Sequence, residues 1–322
     1  MGLSLEAGAH TVISRWCRVR PGEKVLIISD EHHVQESMAL WSAADRCGAS
    51  VALLTIQERA SHPGSIFRSM SDFVLRNDVI IGATNFSLVT NRITQEVLAK
   101  GGRFLSLPLS SSSGQPALTF SFMDMDPEEA ERAGRGMLEA LRRAGEVRVT
   151  TALGTDLTFG KRGREPGLFN GLADQPGKVG SSSFEIYIGI EEHVTSGQAV
   201  VDGSLGYLGL PAAPIPLTFR GGRLVEIAGP AGEDLRRYMD SFGDPGIYVA
   251  GELGIGLNKI SRCVGNCYIE DESTFTTFHI GMGRNLALGG VHDAAGHFDL
   301  VFKYPTIYAG DVLIMKDGQP VV

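Results

Sequence analysis

Residues 24–56 read KVLIISDEHHVQESMALWSAADRCGASVALLTI, and the fold class follows from this stretch. It opens on an apolar run, Lys24–Ser29, which predicts a buried strand. Apolar side chains then recur at three- and four-residue steps through Val34–Cys47, which predicts a helix, and Gly48 is a typical helix stop. Another apolar run, Val51–Ile56, predicts the next strand. Strand, helix and strand in succession favour a parallel sheet with helices on its faces.

The same alternation continues to residue 148. The further predicted strands and helical stretches are Val79–Ile81, Arg103–Pro108, Ile66–Arg76 and Asn91–Lys100. The clearest helix is Asp126–Gly145, which begins with a capping aspartate and a proline and ends at a glycine. We therefore predict an α/β, Rossmann-like N-terminal domain with a mostly parallel sheet over residues 1–148.

Glycine is unevenly distributed, with 12 of the 41 glycines in residues 1–150 and 29 in residues 151–322. The second half is also rich in short strand-like stretches. Its Gly221-Gly222 pair has the chemistry of a hairpin turn, and Gly232–Phe242 predicts a short helix. The predicted strands are Glu146–Leu157, Ser183–Ile190, Ala199–Asp202, Pro216–Arg220 and Leu224–Ile227. We therefore expect an α+β, strand-rich C-terminal domain over residues 149–322.

Composition excludes several classes of protein. The net charge of -8 and the isoelectric point near 5.5 lack the basic footprint that nucleic-acid binding needs. No apolar run of about 18 residues predicts a membrane span, and the first residues show no signal peptide. Four cysteines are too few for a disulfide scaffold, so we expect a cytoplasmic protein. The first strand runs into acidic residues instead of a GxGxxG turn, which disfavours nucleotide binding.

The chemically informative residues come late in the chain, around the stretch GHFDLVFKY at 296–304. In a strand, residues two apart face the same side, so His297 and Asp299 are predicted to project together, about 6.6 Å apart. An imidazole and a carboxylate placed in this way can bind one metal ion. His279 is the natural third ligand of a 2-His-1-carboxylate set.

Two carboxylates and one more histidine lie close to these residues in sequence. Glu252 stands among glycines with no basic residue near it, so it is either a surface residue or held by a metal ion. Glu272 precedes the predicted strand Ser273–Ile280, which carries His279, and His292 is a further donor on a loop. Each residue alone more often has a surface or core role. Together they favour a metal site in the C-terminal domain.

The order of these motifs resembles a known group of metalloenzymes. The matching segments, within about residues 170–322, include VVDGS at 200–204, ELGIGLN at 252–258, HIGMG at 279–283 and HFD at 297–299. They are similar to segments of the M29, aminopeptidase T-like, metallopeptidases. They are also similar to the related 2,5-dihydroxypyridine 5,6-dioxygenases, which share that fold. The first half resembles both branches only as an α/β domain.

The dioxygenase branch implies one Fe(II) ion held by two histidines and one aspartate. His279, His297 and Asp299 can supply this set, and a small aromatic substrate and O2 would take the open positions on the metal. His193 and Glu272 are the candidate catalytic residues, with a surface role as the alternative for His193. The chain length is also nearer to that of the dioxygenases. We therefore favour a mononuclear Fe(II) ring-cleaving dioxygenase.

The aminopeptidase branch implies two ions of Zn, Co or Mn, bound by two glutamates, two histidines and one aspartate, with a short peptide as substrate. Glu252, His279, His297 and Asp299 match four of these ligands. The fifth position falls on Lys178, whose charge would repel a second cation. A metal-free binding module is a third hypothesis, which the intact ligand motifs disfavour. Both enzyme branches imply a homodimer.

Overall fold

Short strands dominate the chain. The structure, a computed structural model, describes residues 2–57 and 66–322. The α-helices are α1 (Leu5–His10), α2 (Val34–Arg46), α3 (Ser71–Val74), α4 (Arg92–Ala99), α5 (Pro127–Arg143), α6 (Glu233–Ser241) and α7 (Tyr268–Ser273). The strands are β1 (Lys24–Asp30), β2 (Ser50–Ile56), β3 (Val79–Ala83), β4 (Arg103–Ser106), β5 (Glu146–Thr150), β6 (Asp156–Gly160), β7 (Gly167–Asn170), β8 (Val179–Ser181), β9 (Phe184–Gly189), β10 (Ser196–Val201), β11 (Ile215–Arg220), β12 (Arg223–Ile227), β13 (Ala250–Gly256), β14 (Thr277–Gly283), β15 (His297–Lys303), β16 (Thr306–Ala309), β17 (Val312–Lys316) and β18 (Gln319–Pro320).

The first sheet is parallel and has the strand order β2-β1-β3-β4-β8. Its central strands read as continuous apolar runs because both of their faces are covered. Leu26, Ile28, Ile80 and Phe104 are fully buried and belong to one core with Val97 of α4. The predicted α/β fold of the N-terminal half is confirmed; the ends of its four predicted strands differ by at most two residues, and β8 was not predicted.

Two antiparallel sheets make up most of the remaining chain. One has eight strands in the order β12-β11-β10-β6-β5-β16-β17-β18. The other, which we call the site sheet, has the order β15-β14-β13-β9-β7. The β11–β12 hairpin turns at Gly221 and Gly222, where φ is +53° and +80°. Positive φ at both central residues suits a two-residue hairpin and favours glycine. The expected strand-rich second half is confirmed.

The chain divides into two compact units, but the divisions do not fall at the predicted boundary between residues 148 and 149. One unit comprises Met1–Pro127 and Phe169–Ser183, and the other comprises Glu128–Leu168 and Phe184–Val322. The physical reason for the return to the first unit is β8, which pairs with β4 as an edge strand of the parallel sheet. Helix α5, predicted as the end of the first domain, belongs to the second unit from Glu128 onward.

Two predicted strands differ from the structure. Glu146–Leu157 is two antiparallel strands, β5 and β6, because the chain turns at residues 151–155 and pairs with itself. Ser273–Ile280 begins as the last residue of α7, and its strand starts only at Thr277. The acidic residues of α7 fill its first turn, where carboxylates favour a helix N-terminus. Among the described residues, no helix is both long and apolar enough to cross a membrane.

Candidate metal centre

The site sheet presents the predicted metal ligands on one face. Glu252 of β13 pairs with Gly281 of β14, and Gly281 pairs in turn with Asp299 of β15. Paired residues point to the same face of a sheet, as do residues two apart on one strand. His279 lies two residues from Gly281, and His297 lies two residues from Asp299. All four predicted ligands therefore share this face.

Glycines on this face leave the space that the imidazoles occupy. Gly254 pairs with His279, and a Cβ on Gly254 would overlap the Nε2 atom of that ring. A Cβ on Gly281 would lie 2.6 Å from Cε1 of His297 and 2.7 Å from Oε2 of Glu252. Each ring thus leans over a glycine of the neighbouring strand. This close packing of the rings explains why β13 and β14 carry glycines at these positions.

One group of possible ligands is centred on His297. Its Nε2 atom lies 3.1 Å from Oε2 of Glu252 and 3.4 Å from Oδ1 of Asp299. The other ring nitrogen, Nδ1, is 2.7 Å from the carbonyl oxygen of Arg284. A carbonyl only accepts, so Nδ1 carries a proton and donates it. This bond orients the ring and leaves Nε2 to face the carboxylates, as in metal-binding histidines.

A second group shares Glu252 with the first. Oε2 of Glu185, on β9, lies 2.8 Å from Nε2 of His279. Ligand atoms of Glu185, Glu252 and His279 all lie within 4.8 Å of one another, as do those of Glu252, His297 and Asp299. Glu252 thus stands between two three-residue groups, each with one imidazole and two carboxylates. The structure places His279 in the group that does not contain His297.

The buried charges in this cluster shift one another's pKa values. Burial, reinforced by the charge of Glu185, raises the pKa of Glu252 to about 7, against the opposing bond from His297. Burial alone would lower the pKa of His279, but the Glu185 carboxylate raises it to about 9. Burial would raise the pKa of Asp299, yet His297 holds it well below its usual range. Protons on these groups reduce the repulsion among the buried carboxylates, and a bound cation would take over that role.

Helix α7 closes one side of the cluster. Tyr268 and Glu272 are four residues apart and lie on the same side of the helix. The Tyr268 hydroxyl donates a hydrogen bond to Oδ2 of Asp299. Glu272 is only 4 % exposed, and burial together with the Asp299 charge raises its pKa well above the usual value. The predicted catalytic residue Glu272 therefore lies beside the ligand groups as a carboxyl that favours its protonated form.

Three other predicted residues lie outside these groups. His193 is exposed beside the Gly221-Gly222 turn, so the structure does not bring it to the cluster. Nε2 of His292 lies 2.9 Å from the carbonyl oxygen of Gly246, in a loop contact. Lys178 pairs with Asp174 at 3.2 Å within the first unit.

Glu185 is the residue that sequence reasoning missed. With the four predicted ligands it makes a set of two glutamates, two histidines and one aspartate, whereas Lys178, the predicted fifth position, pairs with Asp174 in the first unit. The available signal was a single carboxylate inside the otherwise apolar run Ser183–Ile190. That carboxylate is 4 % exposed on a strand paired directly with β13. Charge repulsion by Lys178 therefore no longer argues against a second ion.

The residues present fit a divalent cation. Oδ1 of Asp299 is buried, and its distance from His297 exceeds the ~2.7–3.2 Å of an ordinary hydrogen bond. Three buried carboxylates that face two imidazoles form a donor set of hard oxygens and borderline nitrogens, which suits Fe, Mn, Co or Zn. An ion of this kind would satisfy atoms that otherwise repel one another.

Comparison with known proteins agrees with both branches of the resemblance. The family model described as NicX, 2,5-dihydroxypyridine 5,6-dioxygenase, matches residues 10–322. The solved 2,5-dihydroxypyridine dioxygenase from Pseudomonas putida KT2440 is 18% identical, with a TM-score of 0.81 over 99% of this chain and 97% of that one. Wild-type AmpT from Thermus thermophilus is 16% identical, with a TM-score of 0.69 over 99% of both chains. No curated protein matches the chain. At these identities, the two structures show a shared fold.

Proposed function

This chain belongs to the 2,5-dihydroxypyridine 5,6-dioxygenase family, and we propose that it is a mononuclear Fe(II) enzyme that cleaves a hydroxylated aromatic ring with O2. The observation that carries the proposal is the family match over residues 10–322. His279, His297 and Asp299 would hold the ion, as a 2-His-1-carboxylate set of the kind that binds non-haem iron. Iron bound there would offer open positions at which the substrate and O2 meet.

The protein groups have separate tasks in this proposal. The bond from Nδ1 of His297 to the Arg284 carbonyl keeps Nε2 aimed at the ion. Nε2 of His279 must exchange its Glu185 partner for the ion, since the two groups lie 2.8 Å apart. Glu252, whose Oε2 atom lies 3.1 Å from Nε2 of His297, would accept a hydroxyl proton of the substrate and return it to the product.

The overall reaction needs no external reductant. Both atoms of O2 enter the opened ring, so the electrons of the broken carbon–carbon bond reduce the oxygen. The buried position of the ligands excludes bulk water from the reacting groups, which protects reactive intermediates from hydrolysis. A dihydroxypyridine or a similar dihydroxylated ring is the substrate class that this chemistry requires.

The decisive test is the identity and number of metal ions in anaerobically purified protein. We expect one iron per chain and one O2 consumed for each ring opened. Asp299→Asn should lose the iron and the activity, whereas Asp311→Asn, at an exposed aspartate of the β16–β17 turn, should retain both. A wild-type protein that binds no divalent ion would refute the proposal and favour the metal-free hypothesis.

A second candidate, an M29-type aminopeptidase with two metal ions, is favoured by one observation. The group of Glu185, Glu252 and His279 offers a second cation position next to the group of Glu252, His297 and Asp299. Glu252 would then bridge two ions, which together activate a water molecule for attack on a peptide bond. Two Zn, Co or Mn ions per chain, with leucine released from an aminoacyl substrate and no O2 consumption, would select this candidate.

A further inference from the structure

We propose that Tyr268 is the positioning residue of Asp299, which holds that carboxylate so that only Oδ1 is presented to a cation. The inference rests on the proposed metal centre, but it is the same for one ion or two. It adds a residue of α7 to a site whose ligands all come from strands. It also commits Asp299 to binding an ion through one oxygen.

The contact that carries this inference is the hydrogen bond from the Tyr268 hydroxyl to Oδ2 of Asp299. Oδ1 of the same carboxylate lies on the side of His297, 3.4 Å from its Nε2 atom. The two oxygens therefore have different surroundings, one occupied by a phenol and one facing the possible ligands. An aspartate on a strand can otherwise rotate its carboxylate, so a bond to one oxygen fixes which oxygen an ion meets.

The Tyr268 ring is itself held in place. It is 6 % exposed and stacks on Tyr207, with ring centroids 4.3 Å apart and an interplanar angle of 12°. Tyr207 belongs to a short 3₁₀ segment, Gly206–Leu208, whose first residue has a φ of +60°. A Cβ on Gly206 would lie 3.2 Å from the carbonyl oxygen of Asp299. This close approach places the stacked rings against the strand that carries the ligand.

Packing alone does not explain a tyrosine at this position. A phenylalanine would fill the same volume and stack on Tyr207 equally well, and a buried hydroxyl carries a desolvation cost unless it finds a partner. Its partner here is one of the most buried carboxylates of the cluster, since Asp299 is 3 % exposed. The hydroxyl thus makes a specific bond to a proposed ligand.

The test is Co2+ binding by metal-free protein, compared among wild type, Tyr268→Phe and the control Tyr308→Phe, at an exposed tyrosine of β16 in the eight-stranded sheet. Tyr268→Phe keeps the ring and removes only the hydroxyl. Partners that orient metal ligands typically change metal affinity about 10–100-fold. We therefore expect at least a tenfold loss of Co2+ affinity in Tyr268→Phe and a changed visible spectrum, because a freed carboxylate alters the coordination number. Tyr308→Phe should bind Co2+ like wild type.

A double-mutant cycle separates positioning from general destabilisation. In metal-free protein, Tyr268→Phe should lower the free energy of unfolding less in an Asp299→Asn background than in wild type, since the partner is already gone. Equal Co2+ affinity and spectrum in Tyr268→Phe and wild type would overturn the inference and leave the metal centre standing. A wild-type chain that binds no Co2+, Fe2+ or Zn2+ would instead overturn the proposed function itself. Iron-loaded Tyr268→Phe should lose mainly kcat, with little change in KM.

Discussion

Gly254 and His279 occupy paired positions on neighbouring strands, and the imidazole takes the volume that a side chain on Gly254 would fill. The ring is 1 % exposed, so protein atoms surround it on every side. A ligand of the proposed metal centre is therefore held in place partly by the absence of an atom on the next strand. The pairing of these two residues therefore sets both the register of β13 with β14 and the position of a proposed metal ligand.

Gly254→Ala is predicted to disrupt the metal centre. The added methyl group should displace His279 and lower the free energy of unfolding by about 1–3 kcal/mol, the usual cost of overpacking a tight core. Metal content after anaerobic purification and a denaturant titration measure the two effects. Gly145→Ala is the matched control, because its Cβ would meet only Cγ of Arg162 at 3.8 Å. Normal metal content in Gly254→Ala would contradict the packing argument.

Glu185→Gln distinguishes one metal ion from two. The substitution keeps the shape of the side chain and removes the charge that faces His279. For the mononuclear enzyme we expect one iron per chain to remain, because Glu185 is not among the three ligands. The two-ion aminopeptidase would instead fall from two ions to one. Elemental analysis of wild type and variant, purified side by side, gives the answer directly.

Metal removal is predicted to lower thermal stability. Without a cation, Glu185, Glu252 and Asp299 lie close together in a buried cluster. A ligand present at a hundred times its Kd stabilises the folded state by about 2.7 kcal/mol, which raises the Tm of a unit of ~150–250 residues by about 5–10 °C. Calorimetry of chelated and Mn2+-loaded protein measures this shift. Asp299→Asn should show little or none of it.

Glu36 predicts a pH dependence in the first unit. Burial raises the pKa of this carboxyl to about 7, while its ordinary value is 4.5. Between pH 4.5 and 7 the folded state therefore keeps a proton that the unfolded chain loses. The contribution of this proton to the free energy of unfolding is complete below pH 4.5 and is lost as the pH rises through 7. The loss amounts to about 3 kcal/mol, at ~1.4 kcal/mol for each pH unit.

Glu36→Gln should remove this slope, because glutamine can still accept the hydrogen bond from the Leu118 amide. The only two tryptophans of the chain, Trp16 and Trp41, both lie in the first unit, so their fluorescence reports its unfolding alone. Relative to wild type, the variant should gain stability between pH 5 and pH 8. Parallel pH profiles for the two proteins would count against the buried proton.

Sequence patterns predict this fold where one local rule dominates. Apolar runs such as Lys24–Ser29 locate the parallel strands, and alternation places His297 and Asp299 on one face, as the structure confirms. The pattern fails at Ser273–Ile280, where the buried acidic turn of α7 precedes the strand. Burial of Tyr268 and Ile269 supports the helix against a weak local preference, and no short sequence window contains that information.

The candidate site was predictable only as far as local spacing reaches. His297 and Asp299 lie two residues apart on one strand, and His279 lies on the neighbouring strand. Glu185 comes from a strand far earlier in the chain, and only the pairing of β9 with β13 brings it to Glu252. Its role depends on sheet order, a long-range property that composition and periodicity do not encode. The resemblance to the aminopeptidases places the fifth ligand position at Lys178 instead.

The return of β8 to the parallel sheet has a consequence for how the chain is built. Residues 179–181 complete the sheet beside β4, although residues 128–168 of the other unit have been synthesised before them. During synthesis the parallel sheet therefore keeps an open edge until residues 128–168, the first segment of the second unit, have been made. A fragment that ends at residue 148 would lack β8 and would expose the hydrogen-bonding groups of β4. Such an open edge promotes edge-to-edge association between chains. Each unit thus consists of two separate segments of the chain, and neither can be expressed as one continuous fragment.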